Sequence, residues 1–263
     1  MGQKTWGSYS MPGEEPACWI FGPLHIWGKS TADEFWIAHQ YRETGEAAEQ
    51  AAQQDFRPDL PEKVEWQRWT LKQAYREVLI NPIFPDLPVV VKPEYPFRVT
   101  PGVRTKIYVR VPVWAKFSLG KTAIVKLPSV ILSKTWFGEF TRGELCYWIS
   151  SAARKKIEPD PNRPFLAICP VQIINHSRDE LQVEKICLRV SQLGLYFAKD
   201  QLWSNETRVH YHGQDEGSEI ETQLKAPADA RNAKLITSPM EYPRKSFTAK
   251  TFASLKDLTD RIF

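Results

Sequence analysis

The chain has 263 residues, of which 42% are hydrophobic and 12% aromatic, enough apolar material for one large domain or two of ordinary size. Its 35 Lys and Arg residues barely exceed its 31 Asp and Glu residues and form no dense block, which argues against nucleic-acid binding. No stretch is apolar over the length of a membrane span, and no hydrophobic signal region precedes the first strands. We therefore expect a cytoplasmic protein without membrane insertion.

The four cysteines are isolated within apolar segments and form no CxxC motif: Cys18, Cys146, Cys169 and Cys187. This pattern predicts small buried hydrophobic residues in a reducing compartment. A disulfide between Cys169 and Cys187, on neighbouring predicted strands, is the alternative.

Short apolar runs separated by turn residues fill the first half of the chain. Residues 18–27 and 34–42 predict paired strands, and residues 44–54 predict a loop or a short exposed helix. Residues 62–79 are compatible with either two strands or one helix. Further strands are predicted between prolines, a spacing typical of a β-sandwich, at residues 89–91, 97–99, 106–111 and 113–119.

Residues 141–156 predict a central helix. The segment Thr141-Arg142-Gly143-Glu144 fits a capping box, in which the Thr hydroxyl and the Glu carboxylate satisfy the first backbone N–H groups. Apolar residues then recur at one-face helical spacing, and cations fill the last turn: Leu145, Trp148, Ile149 and Ala152, followed by Arg154, Lys155 and Lys156.

The second half of the chain again predicts strands. Residues 165–174 carry Pro170 at their middle, which predicts a bent strand or an edge strand, and further strands follow at 181–190, 193–197 and 207–212. At the C-terminus, residues 246–263 predict an amphipathic helix with one apolar stripe, formed by Phe252, Leu255, Leu258 and Ile262.

These elements predict a mainly β protein of two packed β-sandwich-like units with a central helix and a C-terminal amphipathic helix. The expected domains are residues 1–157, with the central helix, residues 158–245, and a helical tail at 246–263.

Four blocks of sequence resemble, in order, an uncharacterised prokaryotic family, domain of unknown function four hundred and thirty-two. The blocks are CWIFGPLHIW with EFW, PGVRTKIYVRVPVW, LPSVILSKTWFGEFTRGELCYWISSAARK, and CPVQIINHSRDELQVEKICLRV. The resemblance covers most of the chain and implies no activity. Members sometimes lie beside genes for mechanosensitive channels, so it points to a membrane protein as one kind of partner.

The histidines are the candidate metal ligands. His210 and His212 lie on one face of a predicted strand, a spacing that can chelate a metal, but a third ligand such as His176, His25 or a carboxylate is not fixed. A hydrogen-bonded or solvated pair is the favoured interpretation. We expect neither a metal nor a cofactor.

The remaining candidates are residues for binding a partner or ligand. Trp136, Phe137 and Trp148 predict either a binding surface or core packing, and Arg142 and Arg154 either an anion site or complements to the helix dipole. The C-terminal stripe of Phe252, Leu255, Leu258 and Ile262 predicts a helix that packs on its own domain or docks in a partner.

Nothing in the sequence forms a catalytic signature, since it has neither a GxSxG nucleophile elbow nor a phosphate-binding glycine loop. We expect a non-catalytic interaction or regulatory protein, an accessory subunit of a membrane channel or of another assembly, with self-association as an alternative. The second hypothesis is a small anionic-ligand binder or hydrolase whose site combines dispersed residues such as His176, His210, His212 and Arg142.

Overall fold

The computed structural model describes residues 5–42, 53–55, 60–157, 160, 162–213, 217–242, 247–249 and 251–253, and strands dominate them. The expectation of a mainly β protein is confirmed. In chain order the strands are β1 Gly7–Ser10, β2 Ala17–Phe21, β3 Leu24–Ser30, β4 Glu34–Tyr41, β5 Gln53–Asp55, β6 Gln67–Thr70, β7 Glu77–Ile83, β8 Val89–Pro93, β9 Phe97–Val99, β10 Arg104–Pro112, β11 Trp114–Leu119, β12 Thr122–Pro128, β13 Ser133–Phe137, β14 Glu144–Ala153, β15 Leu166–Asn175, β16 Leu181–Val183, β17 Lys185–Leu188, β18 Leu195–Ala198, β19 Gln201–Ser204, β20 Thr207–Gly213, β21 Gly217–Thr222, β22 Lys234–Thr237, β23 Phe247–Ala249 and β24 Phe252–Ala253. Two short 3-10 helices span Val190–Gln192 and Ala228–Ala230.

The chain divides into two compact units, each assembled from separate stretches of sequence. The first unit comprises Met1–Ile83, Pro112–Ile131 and Asp160–Phe165, and the second comprises Phe84–Val111, Leu132–Pro159 and Leu166–Phe263.

The first unit contains a sheet of order β5-β2-β3-β4-β6 and a sheet of order β1-β7-β11-β12. Trp19 of β2 packs edge-to-face on Phe117 of β11, with ring centroids 5.6 Å apart, so the two sheets share one aromatic core. Residues 18–27, predicted as one strand, form β2 and β3, because Gly22 turns the chain at a φ of +61°. Residues 62–79 contain β6 and the start of β7, which decides for strands over a helix.

The described residues of the second unit form three sheets. The largest has the order β22-β18-β19-β15-β20-β21-β23, and β10 also pairs with β15 in it. The other two have the orders β13-β14-β8-β17-β24 and β16-β9. Pro170 lies within β15, which has partners on both sides. The parallel partner of β15 changes at this proline, from β19 at Ala167 and Ile168 to β20 from Val171 onward. Since proline cannot donate to a ladder, it marks the change of neighbour.

The predicted central helix at 141–156 is wrong, because residues 144–153 form β14. β14 pairs antiparallel with β13, where Phe137 faces Glu144, and parallel with β8, where Tyr147 faces Val89. Hydrogen bonding on both sides favours the extended form, which suits Tyr147, Trp148 and Ile149, and it overrides the helical spacing. Of the residues assigned to the capping box, Thr141, Arg142 and Gly143 end the loop between β13 and β14, and Glu144 begins β14.

The predicted C-terminal helix at 246–263 is also wrong where the structure describes it. Residues 247–249 form β23 on β21, and Phe252 of β24 pairs with Ile186 of β17. Both short strands add to the end of an existing sheet, which satisfies backbone groups that an exposed helix would satisfy alone. The remainder of the predicted helix, residues 246, 250 and 254–263, lies outside the described residues.

Three smaller expectations can be compared with the structure. Within the predicted loop or helix at 44–54, Gln53 and Gln54 belong to β5, and the rest lies outside the described residues. All four cysteines are buried and free, so the alternative disulfide does not form. None of the described helices is long and apolar enough to span a membrane.

Candidate functional site

The hairpin of β13 and β14 has a buried face and an exposed face. Phe137 and Cys146 are 4% and 0% exposed and pack with Val90 and Cys187, and Trp148 is half-buried against them. On the other face Trp136 and Leu145 form a cross-strand pair and are 51% and 42% exposed. Alternation along the two strands therefore separates core side chains from side chains that are free to bind.

The loop at the tip of this hairpin is held by close backbone contacts. Gly138 has a φ of +108°, and a Cβ atom added to it would lie 2.9 Å from the Cα of Gly143, so both glycines serve a tight crossing. The indole N–H of Trp136 donates to the Glu139 carbonyl over 3.0 Å. Phe140 lies beyond this bond and is 93% exposed. The loop therefore presents one large apolar side chain to solvent from a fixed backbone.

Arg142 and Arg154, the two candidate anion-binding residues, lie at opposite ends of β14. Arg142 is exposed in the hairpin loop, whereas Arg154 follows the last residue of the strand. A ten-residue strand is about 33 Å long, so these two guanidinium groups belong to different surfaces.

At the far end of β14 the other cations line a cleft of about 480 Å³. Arg154 is fixed there by backbone hydrogen bonds to Tyr108 of 2.8 and 3.0 Å and by an ion pair with Glu94 of 3.3 Å. The cleft combines three cations, one carboxylate, two aromatic rings and two aliphatic side chains: Arg154, Lys155, Lys156, Glu94, Tyr95, Phe97, Ile107 and Ala153. This composition suits an anionic ligand with a flat apolar part.

Three histidines meet at one end of β15 and β20. The ring of His176 stacks on that of His210 and on that of His212, with centroids 5.2 and 5.3 Å apart, and His176 Nε2 lies 3.0 Å from His210 Nδ1. The sequence predicted the pair on β20 and named His176 as a candidate neighbour. His25 lies on β3 in the first unit, and Arg142 lies in the loop between β13 and β14.

The surroundings of His176 favour its neutral form, and two carboxylates lie near the other two rings. Glu221 and Glu219 each lie 3.9 Å from one imidazole, of His210 and His212 respectively. Desolvation, followed by the positive charges that the two neighbouring histidines can carry, lowers the pKa of His176. A hydrogen-bonded, stacked group is the arrangement that the geometry shows.

A polar cluster that sequence reasoning missed lies between β10 and the 3-10 helix at 228–230. Lys106 Nζ contacts Glu206 at 2.9 Å and Asp229 at 2.5 Å, and the Tyr108 hydroxyl donates to Asp229 over 2.8 Å. Burial opposes the charge on Lys106, but hydrogen bonds to Asp229 and Glu206 outweigh it and raise its pKa. A lysine held in its charged form is a structural ion partner and not a general base.

The second cluster that sequence reasoning missed joins Glu144, Cys146 and Cys187. One ligand atom from each residue lies within 4.8 Å of the other two. Among the described parts of the chain, these three residues form the group with the spacing of metal ligands. The two sulfur atoms are 4.0 Å apart, and Cys187 Sγ is 3.9 Å from Glu144 Oε1, which also forms an ion pair with Arg189. Two thiols and a carboxylate are a donor set that zinc accepts.

The candidate residues of the C-terminal stripe are only partly described. Phe252 is 8% exposed on β24, and its ring meets that of Tyr211 edge-to-face at 6.1 Å, so it is a core residue. Leu255, Leu258 and Ile262 lie outside the described residues.

Taken together, the strands and these clusters define a mainly β protein with an exposed apolar hairpin, a cationic cleft and a thiol–carboxylate cluster whose two cysteines are buried. The chain belongs to the family described as Protein of unknown function (DUF432), whose family model matches residues 5–256. This confirms the resemblance seen in the sequence blocks. No curated protein and no solved structure matches the chain.

Proposed function

We propose that this protein is a non-catalytic interaction protein that binds a protein partner through the tip of the β13–β14 hairpin. The observation that carries the proposal is Phe140, which is 93% exposed at the tip, next to the exposed pair of Trp136 and Leu145. A large aromatic side chain left in water gains about 1.5–3 kcal/mol when a partner buries it. Trp is also enriched among the residues that dominate binding energies.

The scaffold of the hairpin supports the same function. Phe137 and Cys146 fix its inner face, and the hydrogen bond from the Trp136 indole fixes the loop. A partner therefore meets a preorganised surface and orders few side chains on binding. A cytoplasmic regulatory or accessory subunit of a larger assembly, such as a membrane channel, is the role that we propose for it.

Affinity capture from a native lysate, membranes included, tests this function when it is run with matched variants. The intact chain and the control variant Leu224→Ala, which removes a 72% exposed side chain elsewhere, should recover the same partner. Phe140→Ala should lose it, with at least a tenfold weaker affinity once the partner is purified. A partner bound equally by Phe140→Ala, or a chain that recovers none, contradicts the proposal.

A second candidate function, binding of a small anionic ligand, is favoured by the cleft at the end of β14. Its volume of about 480 Å³ falls within the range of ligand sites, and its cations outnumber its carboxylate three to one. Since Glu94 pairs with Arg154, Lys155 and Lys156 supply the positive charge that this pair does not balance.

Calorimetric titration with inorganic pyrophosphate tests the cleft. The intact chain should bind it with an affinity that falls as salt rises, because the attraction is between exposed charges. Lys155→Glu with Lys156→Glu should abolish binding, while Lys121→Glu with Lys126→Glu, two exposed lysines of the β11–β12 hairpin, should retain it. Absence of binding by the intact chain, or equal binding by both double variants, contradicts this function.

A further inference from the structure

The thiol–carboxylate cluster has the spacing of a metal site. In a tetrahedral zinc site, Zn–S bonds of about 2.3 Å and a Zn–O bond of about 2.1 Å place two sulfurs about 3.8 Å apart and a sulfur and an oxygen about 3.6 Å apart. The corresponding distances here are 4.0 Å between Cys146 Sγ and Cys187 Sγ and 3.9 Å between Cys187 Sγ and Glu144 Oε1. A contraction of a few tenths of an ångström brings these two pairs to coordination distance, and the third pair, Cys146 Sγ and the Glu144 carboxylate, lies within 4.8 Å.

The strand order opposes a direct bond between the two thiols. Cys146 is on β14 and Cys187 on β17, and β8 lies between these strands in the sheet. Two strand spacings separate the backbones by about 9.6 Å. A disulfide requires Cα atoms within about 7 Å of each other. The side chains approach each other across β8 at a distance that a bridging ion can span and an S–S bond cannot.

The net charge of the site becomes zero when a divalent ion is bound. Binding of Zn²⁺ displaces one proton from each thiol. The two thiolates and the Glu144 carboxylate then carry three negative charges, whereas the ion carries two positive charges. Arg189, whose guanidinium contacts Glu144 and whose side chain is 15% exposed, supplies the remaining positive charge. Since Cys146 and Cys187 are themselves buried, this neutrality removes the main cost of placing an ion there.

The geometry points to a zinc site formed by Glu144, Cys146 and Cys187, with Arg189 as the positioning residue that holds the carboxylate. Thiolates select zinc over magnesium or calcium, which prefer oxygen ligands. The three side chains leave one tetrahedral position for a water molecule. This site does not rest on the proposed docking or anion-binding functions, because none of its ligands belongs to the exposed hairpin face or to the cleft.

Titration of the reduced, metal-free full-length chain with Co²⁺ tests the site directly. We expect one ion per chain, a near-ultraviolet thiolate-to-cobalt charge-transfer band, and loss of the band on addition of Zn²⁺. Cys146→Ser and Cys187→Ser should each weaken binding at least tenfold and reduce the band per bound ion. Glu144→Gln should weaken binding to a similar degree but keep the band, because both sulfur ligands remain.

Cys169→Ser is the matched control, because this buried thiol on β15 contacts the Ala167 carbonyl and lies outside the cluster. It should bind Co²⁺ like the intact chain. X-ray absorption of the zinc-loaded intact chain, which depends on no variant folding, should show two sulfur neighbours per zinc. A spectrum without sulfur, the absence of a charge-transfer band, or a band unchanged in both Cys146→Ser and Cys187→Ser overturns the proposal.

Discussion

Replacing Phe137 and Phe140 separately with alanine provides a sharp test of the hairpin, because the same side chain is removed from its two opposite environments. Phe137 is 4% exposed and packs with Val90, Cys146 and Cys187. Phe140 lies three residues further on and is 93% exposed. The structure therefore predicts a large loss of stability for the first variant and almost none for the second.

The magnitude follows from burial and from the position of the strand. Truncation of a buried Phe to Ala costs about 3–5 kcal/mol of unfolding free energy, and the cost is smaller where the surroundings can collapse. Phe137 is on β13, which is an edge strand, so about 3 kcal/mol is expected. Phe140→Ala removes no packed surface and should change the free energy by less than about 0.5 kcal/mol.

Thermal and urea unfolding of the metal-free chains, followed by circular dichroism, measures both values. A loss of about 3 kcal/mol corresponds to a melting temperature lowered by roughly 6–12 °C in a chain of this size. Phe140→Ala should unfold at the same temperature and urea concentration as the intact protein, so its loss of partner binding cannot be assigned to misfolding. Equal destabilisation by the two substitutions would show that the loop is packed and would refute the exposed tip.

Three further predictions test the loop, the polar cluster and the histidines. Gly143→Ala places a Cβ atom against Trp136 Nε1, so the melting temperature should fall and the tryptophan near-ultraviolet signal should change; an unaltered signal would show that the loop is looser than described. Asp229→Asn removes the negative charge that pairs with half-buried Lys106, so the free energy of unfolding measured in urea should fall by about 1–3 kcal/mol; an unchanged value would show that the ion pair is solvated. The pKa of His176 is lowered on folding, so its contribution to stability is present above its unfolded pKa of about 6.5 and is lost as the pH falls below that value. His176→Asn should flatten the change in stability between about pH 7.5 and pH 5, and an equally steep profile contradicts the shift.

The sequence was sufficient to predict a mainly β fold. It was not sufficient to predict the secondary structure of residues 141–156 and 246–263, whose apolar residues have helical spacing. Alternation and proline spacing identified most strands, since those signals are local. In residues 141–156 local signals conflicted with pairing, because β8, about fifty residues earlier, supplies one partner of β14. Nothing within the segment itself reports a hydrogen-bonding partner so far away in sequence.

The anion-binding candidates show how such a local error moves a site. With residues 141–156 helical, Arg142 and Arg154 belonged to one element about 18 Å long and to one candidate anion site. In the extended β14 they separate onto two surfaces, and the cleft takes its aromatic rings from Tyr95 and Phe97 instead. Tyr95 precedes β9 and Phe97 is its first residue, and sequence analysis had treated this strand only as part of a sandwich.

The helical interpretation also concealed the thiol–carboxylate cluster. On a helix, successive residues turn by about 100°, so Glu144 and Cys146 would point in nearly opposite directions. On a strand, the same two residues lie on one face, as do Cys187 and Arg189 around the end of β17, and the intervening β8 brings the two pairs together. The signal was therefore present as two short alternating pairs, Glu-x-Cys and Cys-x-Arg. It acquires chemical meaning only when both are extended, so the wrong helix and the missed metal site have a single cause.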